Sequence, residues 1–169
     1  MKILAIDPGG TTGWATYDSN PYKNRPTWDH GELGPKEHHL DLWYLMDEAR
    51  PEWLEPDRRE PLYIIGESFQ YRNGLDKAEL ISCEYIGIIK MFPYEHYAII
   101  LVWQTAAQGK VTPTSFVKRR HLERLGLWDP KQPNHAMDGY GHLIYYVING
   151  GNPELKDLRL MLLQKGWRS

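Results

Sequence analysis

Lys2-Ile3-Leu4-Ala5-Ile6-Asp7 is the stretch on which the fold turns. Four consecutive apolar residues closed by an acid are too few for a helix and fit a buried strand. Asp7-Pro8-Gly9-Gly10-Thr11-Thr12-Gly13 follows as a turn, its glycines permitting backbone angles that other residues avoid. Trp14-Ala15-Thr16-Tyr17 then pairs back as a second strand. The same grammar returns at Leu62-Tyr63-Ile64-Ile65-Gly66-Glu67, an apolar run that again ends in an acid.

Between these runs, residues 19–26 are polar and proline-rich and read as a loop, and residues 27–33 as a weak third strand. From Lys36 to Arg50, Leu40, Trp43, Tyr44 and Met46 mark an amphipathic helix, ended by Pro51 and Pro56. Asn73-Gly74 is a turn, and residues 76–92 form a helix with a broad apolar face. Residues 97–103, YAIILVW, are the most hydrophobic strand candidate. Thr112 caps a helix that opens on Pro113. Asn134 caps another that runs to about residue 149, where Gly150-Gly151 stops it, and a short helix covers 153–164. The order β-β-β-α-β-α-β-α-α predicts an α/β fold: a mixed five-stranded sheet, three antiparallel strands followed by parallel ones, flanked by helices. One domain over residues 1–169 is expected, with 150–169 as a tail or short helix.

Composition narrows the function classes. The chain has 169 residues, 41% apolar and 25% charged, which is globular usage and excludes a disordered, collagen-like or coiled-coil chain. No apolar run approaches a membrane span, and the N-terminus meets Asp7 too soon for a signal peptide. Cys83 is the only cysteine, so an internal disulfide is impossible and a cysteine zinc site is disfavoured; a cytoplasmic setting is expected. The formal net charge of −2 argues mildly against nucleic-acid binding. The local balance is different. Residues 28–60 carry ten acids against four bases, whereas residues 110–131 carry Lys110, Lys118, Arg119, Arg120, Arg124 and Lys131 against two acids. The basic stretch suits phosphate, or simply a solvated helix face.

Four side chains stand out as chemistry. Asp7 and Glu67 end buried strands, and sites gather at the carboxyl ends of strands. His135 and Asp138 lie three apart on one predicted helix and so share a face. Three carboxylates and an imidazole can cradle hard cations: Mg²⁺ takes oxygen ligands, and two ions about 3.5–4 Å apart clamp a scissile phosphate. Each residue also has a plainer use, Asp7 in setting the turn and Asp138 as a charge near a helix start. His142, one turn beyond Asp138, reads as a bystander.

With these residues in view, the chain resembles the RuvC family of Holliday-junction resolvases, in the RNase H/integrase-like nuclease superfamily. The resemblance rests on Ile3-Leu4-Ala5-Ile6-Asp7-Pro8-Gly9 with Gly13, on Ile64-Ile65-Gly66-Glu67, and on His135-Ala136-Met137-Asp138. It covers about residues 1–149. The compact length and the Leu122-Glu123-Arg124-Leu125-Gly126-Leu127-Trp128 stretch look most like the phage-encoded branch, which would place the protein in a host cytoplasm. The resemblance implies a homodimeric endonuclease that resolves four-way junctions or other branched DNA with two Mg²⁺ ions per site, or Mn²⁺. Asp7, Glu67, His135 and Asp138 become its metal ligands and catalytic residues. Phe69, with Tyr71 as the alternative, matches the aromatic that stacks on an unpaired base, and Lys110, Lys118, Arg119 and Arg120 are the local supply of phosphate contacts. Residues 76–92 are the expected dimer surface. Gly139 departs from the family, which often has Ala there, and glycine weakens a helix by about 1 kcal/mol.

Two other classes compete. The Asp7–Gly13 turn resembles the phosphate loop of actin-like ATPases and sugar kinases, which need two such domains where this chain supplies one. A non-catalytic DNA-binding module of the same fold is the other. Ligand type separates them: nucleotide for the first, and junction binding without cutting for the second.

Overall fold

The computed structural model describes residues 1–19, 26–34, 39–50, 61–68, 77–96, 98–105, 112–132 and 134–167. Five strands form one sheet: β1 (Lys2–Asp7), β2 (Thr12–Asp18), β3 (Thr27–Leu33), β4 (Leu62–Ser68) and β5 (Ile99–Thr105), in the order β3-β2-β1-β4-β5. β1 pairs antiparallel with β2, and β2 with β3; β4 pairs parallel with β1, and β5 with β4. The mixed sheet is thus the expected one. The second strand starts earlier than expected, at Thr12, because Asp7 pairs opposite Gly13 and leaves a short turn. β5 starts later, at Ile99, because Ala98 has φ of 60°, left-handed backbone that no extended strand can include.

Alternation along the strands builds two cores. Ile3, Ala5, Ala15, Tyr17, Tyr63 and Ile65 point to one face, where α5 (Asn134–Asn149) covers them with Ala136, Met137, Tyr140, Leu143, Ile144 and Val147. Leu4, Ile6, Leu62 and Ile64 point to the other, under α1 (His39–Glu48) and α2 (Lys77–Glu95), which contribute Leu42, Met46, Tyr85, Ile89 and Phe92. Each fully buried aliphatic or aromatic side chain contributes about 1.5–3 kcal/mol, so both helix layers are firmly held. The helix expected from Pro113 is two: α3 (Pro113–Phe116) and α4 (Arg119–Leu125), separated by extended backbone at Val117 and Lys118. A 3₁₀ turn (Pro153–Leu155) leads into α6 (Lys156–Gly166), which packs on α4 and α5. No helix among the described residues is long and apolar enough to cross a membrane.

α5 is sandwiched, not half-exposed. Ten of its 16 residues are buried, because α3 and α6 cover the side turned away from the sheet. Two glycines set its height. A Cβ on Gly13 would lie 1.8 Å from the carbonyl oxygen of His135, and one on Gly139 would lie 2.5 Å from the carbonyl carbon of Trp14. Helix backbone therefore rests directly on strand backbone at the start of β2. This is the structural reason for glycine at 139.

Candidate active site

Strand register brings the polar strand ends together. Ile6 pairs with Gly66, so Asp7 and Glu67 are next to each other at the carboxyl ends of β1 and β4. Glu67 pairs in turn with Gln104 near the end of β5. On the other side, Gly13 pairs with both Asp7 and Glu32, which carries the row into β3. The face under α5 thus ends in a polar row: Glu32, Asp7, Glu67 and Gln104.

α5 closes this row from above. His142 is 1% exposed, and its Nε2 lies 3.7 Å from Asp7 Oδ1 and 3.6 Å from Glu67 Oε2. One ligand atom each from Asp7, Glu67 and His142 fall within 4.8 Å of one another. Asp138 sits one turn earlier and senses Asp7 and Glu32 electrostatically. Glu32 Oε1 accepts a hydrogen bond from the Ala136 N–H at 3.3 Å, near the start of α5.

The acids are crowded. Burial pushes the Glu67 carboxyl up to about 7, helped by the charge of Asp7, a hydrogen bond with it, and the charge of Asp138. Burial and the Asp7 charge push Asp138 up to about 6, with His135 opposing and Glu32 adding to the rise. Burial holds the His142 imidazole below its ordinary value, against the pull of Asp7. At 3.6–3.7 Å the His142 contacts are beyond hydrogen-bonding reach, and burial favours the neutral ring. We therefore read them as facing ligands and not as ion pairs.

The donor set fits a divalent cation. The buried His142 Nε2 has no hydrogen-bond partner, although such a group is ordinarily satisfied. The other atoms facing it belong to carboxylates, which only accept when ionised. Three acceptors converge, and a cation would satisfy all of them at once. Carboxylate oxygens with one imidazole suit Mg²⁺ or Mn²⁺ better than a soft-metal site would.

The structure differs from the sequence reading on one histidine. His135 lies at the rim, 53% exposed, with Nδ1 4.0 Å from Asp138 Oδ2, while His142, read as a bystander, is the one gathered with Asp7 and Glu67. Positions 138 and 142 are four apart, so they share a face as well as 135 and 138 do. What the helical pattern lacks is the depth of α5, which the two glycine contacts set. Gln104 and Glu32 escaped the sequence reading. Gln104 had a signal: it is the first polar residue after the most apolar strand run, the position equivalent to Asp7 and Glu67.

Of the expected phosphate contacts, Lys118, Arg119 and Arg120 are exposed at the start of α4. Arg119 lies 5.0 Å over the Trp128 ring and bonds Glu123 at 2.7 Å. His121 Nδ1 accepts the Lys118 N–H at 3.1 Å, and its ring stacks on Trp167. Burial and the charges of Arg120, Arg124 and Lys118 hold His121 below its ordinary pKa. The start of α4 thus carries three exposed cations, Lys118, Arg119 and Arg120, and α3 just before it packs on α5. Phe69, Tyr71 and Lys110 lie outside the described residues.

No protein-family model matches this chain, and no curated protein does. Solved structures are similar, two RuvC structures among them. One is the Thermus thermophilus RuvC structure, 15% identical over 84% of this chain and 90% of that one, with a TM-score of 0.51. The other is T. thermophilus RuvC in complex with Holliday junction substrate, 15% identical over 84% of this chain and 89% of that one, with a TM-score of 0.52. Sheet order, strand directions and helix placement agree with this likeness, and the chain has the RNase H-like fold of RuvC.

Proposed function

We propose that this protein is a divalent-metal-dependent endonuclease acting on branched DNA, four-way junctions first among them. The observation that carries the proposal is the convergence of Asp7, Glu67 and the unpartnered His142 Nε2 at the strand ends of a RuvC-like fold. A neighbour of the same fold is in complex with Holliday junction substrate.

Asp7 would be a central ligand, since it is gathered with Glu67 and His142 and its charge also reaches Asp138. Glu67 and His142 would hold a cation together with Asp7, and Asp138, which feels the Asp7 charge, would add a further carboxylate. A cation bound there would supply Lewis acidity to offset charge on the scissile phosphate and the leaving oxygen. The residues of the chain do the rest. Glu67 and Asp138 give up protons near neutral pH to become ligands. Their oxygens accept hydrogen bonds from water and so orient it toward phosphorus. His135, exposed at the rim, is placed to exchange protons with solvent. Lys118, Arg119 and Arg120 hold flanking phosphates, joined in sequence by Lys110, and Phe69 or Tyr71, just after Glu67, stacks on an unpaired base; such stacking is worth about 1–3 kcal/mol per base. Two copies of the chain would present two sites to the two-fold symmetry of a junction.

A panel of a synthetic four-way junction, a flap and a linear duplex, each with Mg²⁺ or Mn²⁺, tests this reading. Cutting of the junction by the wild type and not by Asp7→Asn is expected. If neither protein cuts any of the three across a metal titration, the nuclease reading fails.

A further inference from the structure

We infer that Gln104 is a positioning residue: it locks His142 as the Nδ1–H tautomer, which aims the bare Nε2 lone pair at Asp7 and Glu67 and makes the cradle prefer Mn²⁺ over Mg²⁺. The metal-site part of this rests on the reading just given. The tautomer part rests on geometry alone.

The lock is a chain of obligatory directions. Gln104 Nε2 donates to the backbone carbonyl of His142 at 3.0 Å. A carbonyl can only accept, so the amide end of Gln104 must be the one facing it. That turns Gln104 Oε1 toward His142 Nδ1, at 2.6 Å. An amide oxygen also only accepts, so Nδ1 must carry the proton. In the neutral ring Nε2 is then a lone pair, and it is the buried atom that lacks a partner between the two carboxylates. Gln104 is itself only 9% exposed, so water does not compete for these bonds. Flipping the Gln104 amide would set its oxygen against the His142 carbonyl, two acceptors with no proton between them.

An outer partner that fixes a ligating histidine in this way is typically worth a 10–100-fold difference in metal affinity. It also bears on metal choice. Mg²⁺ favours oxygen ligands and gives up its water reluctantly. Imidazole affinity rises along the first transition row, in which Mn²⁺ is the first step beyond the purely oxygen-seeking ions. A preset nitrogen lone pair in a buried cradle therefore tilts the site toward Mn²⁺.

The test uses metal-free, full-length protein without DNA. Long-range ¹⁵N–¹H correlation spectra of the wild type should show His142 protonated at Nδ1 and bare at Nε2. Titration calorimetry should show tighter binding of Mn²⁺ than of Mg²⁺. Gln104→Leu removes the acceptor; it should lose the fixed tautomer and bind Mn²⁺ about 10–100-fold more weakly, with Mg²⁺ less affected. Gln104→Glu loses the donor to the His142 carbonyl but keeps an acceptor for Nδ1–H; it should retain the tautomer that Gln104→Leu, a side chain of similar bulk, loses, whereas a purely packing role would leave the tautomer of Gln104→Leu unchanged. His142 protonated at Nε2 in the wild type, or equal Mn²⁺ affinity in wild type and a folded Gln104→Leu, overturns the inference. Because no step reads cleavage, an inactive protein with the expected tautomer and Mn²⁺ preference would count against the nuclease reading alone. Junction cutting with the wrong tautomer would count against Gln104 alone.

Discussion

Gly139→Ala should destabilise this protein, although glycine to alanine inside a helix ordinarily stabilises by about 1 kcal/mol. The added Cβ would sit 2.5 Å from the Trp14 carbonyl carbon, 2.8 Å from its oxygen and 2.9 Å from the Ala15 nitrogen. All three are backbone atoms of a central strand and cannot rotate away. Comfortable carbon contacts are about 3.5–4.0 Å, so α5 must lift by about 1 Å. Overpacking of this kind costs about 1–3 kcal/mol, which outweighs the propensity gain. Gly87→Ala is the internal control: it is also helical, in α2, with nothing within 4 Å of the new Cβ, and should gain roughly 0.4–1 kcal/mol. Thermal unfolding separates the two, since about 2–4 °C accompanies each kcal/mol at this size. The lift also carries Asp138 and His142 away from Asp7 and Glu67, and a misplacement of about 1 Å can cost on the order of 100-fold in rate. Mn²⁺ affinity of Gly139→Ala should fall accordingly. If Gly139→Ala melts at or above Gly87→Ala and binds Mn²⁺ like the wild type, the backbone-contact account of α5 is refuted.

Three further outcomes follow from the site and the surface. In metal-free buffer, stability should decline as pH rises: folded Glu67 keeps its proton up to about 7 against 4.5 unfolded, and Asp138 up to about 6 against 3.8. The folded state thus binds more protons across that window and loses stability through it; saturating Mn²⁺ should flatten the trend, and a melting temperature that climbs over the same interval in chelator would contradict the crowding of the acids. Arg119→Ala and Arg120→Ala should each weaken binding of a four-way junction and reduce the slope of log affinity against log salt by about 1, read by fluorescence anisotropy at several ionic strengths; unchanged slopes would remove α4 from the DNA surface. Met91 and Tyr94 on α2 are exposed, as are Leu40 and Tyr44 on α1, which packs on α2; a Met91→Glu, Tyr94→Ser variant should sediment as a monomer where the wild type sediments as a dimer, and a monomeric wild type would end the dimer proposal.

The sheet was legible because burial leaves an unambiguous signature in short strands. Ile3 to Ile6 and Leu62 to Ile65 are apolar on both faces since helices cover both, and the acid after each run marks where the cover stops. Less legible were features that depend on a third dimension. Ala98 gives no sign in composition that its backbone is left-handed. Val117 and Lys118 break a helix that Thr112 and Pro113 start well. His142 is the sharpest case. On a helical wheel it is one more polar residue beside Asp138, and its use depends on α5 lying against β2 closely enough for Gly139 to touch backbone. Gly139 looked like a departure that weakens the helix; in the structure it is the condition for His142 to reach the acids.

The same contacts explain how so unfavourable a cluster persists. Glu32, Asp7, Glu67 and Asp138 repel one another, and a loosely held helix would relieve the repulsion by swinging outward. α5 cannot, because Leu143, Ile144 and Val147 are buried in the core below and beyond the site, and each contributes about 1.5–3 kcal/mol to holding the helix down. Burial first, with the neighbouring charges adding to it, keeps protons on the acids, raising Glu67 to about 7 and Asp138 to about 6. Under the proposed function a cation would replace those protons, and a helix held down in this way would present its ligands before the ion arrives. Substrate affinity should then be shared between two separate fields: a negative pocket that repels phosphate until metal fills it, and the positive start of α4 that attracts phosphate regardless. This division would reconcile a chain of net charge −2 with the polyanionic substrate of the proposed function.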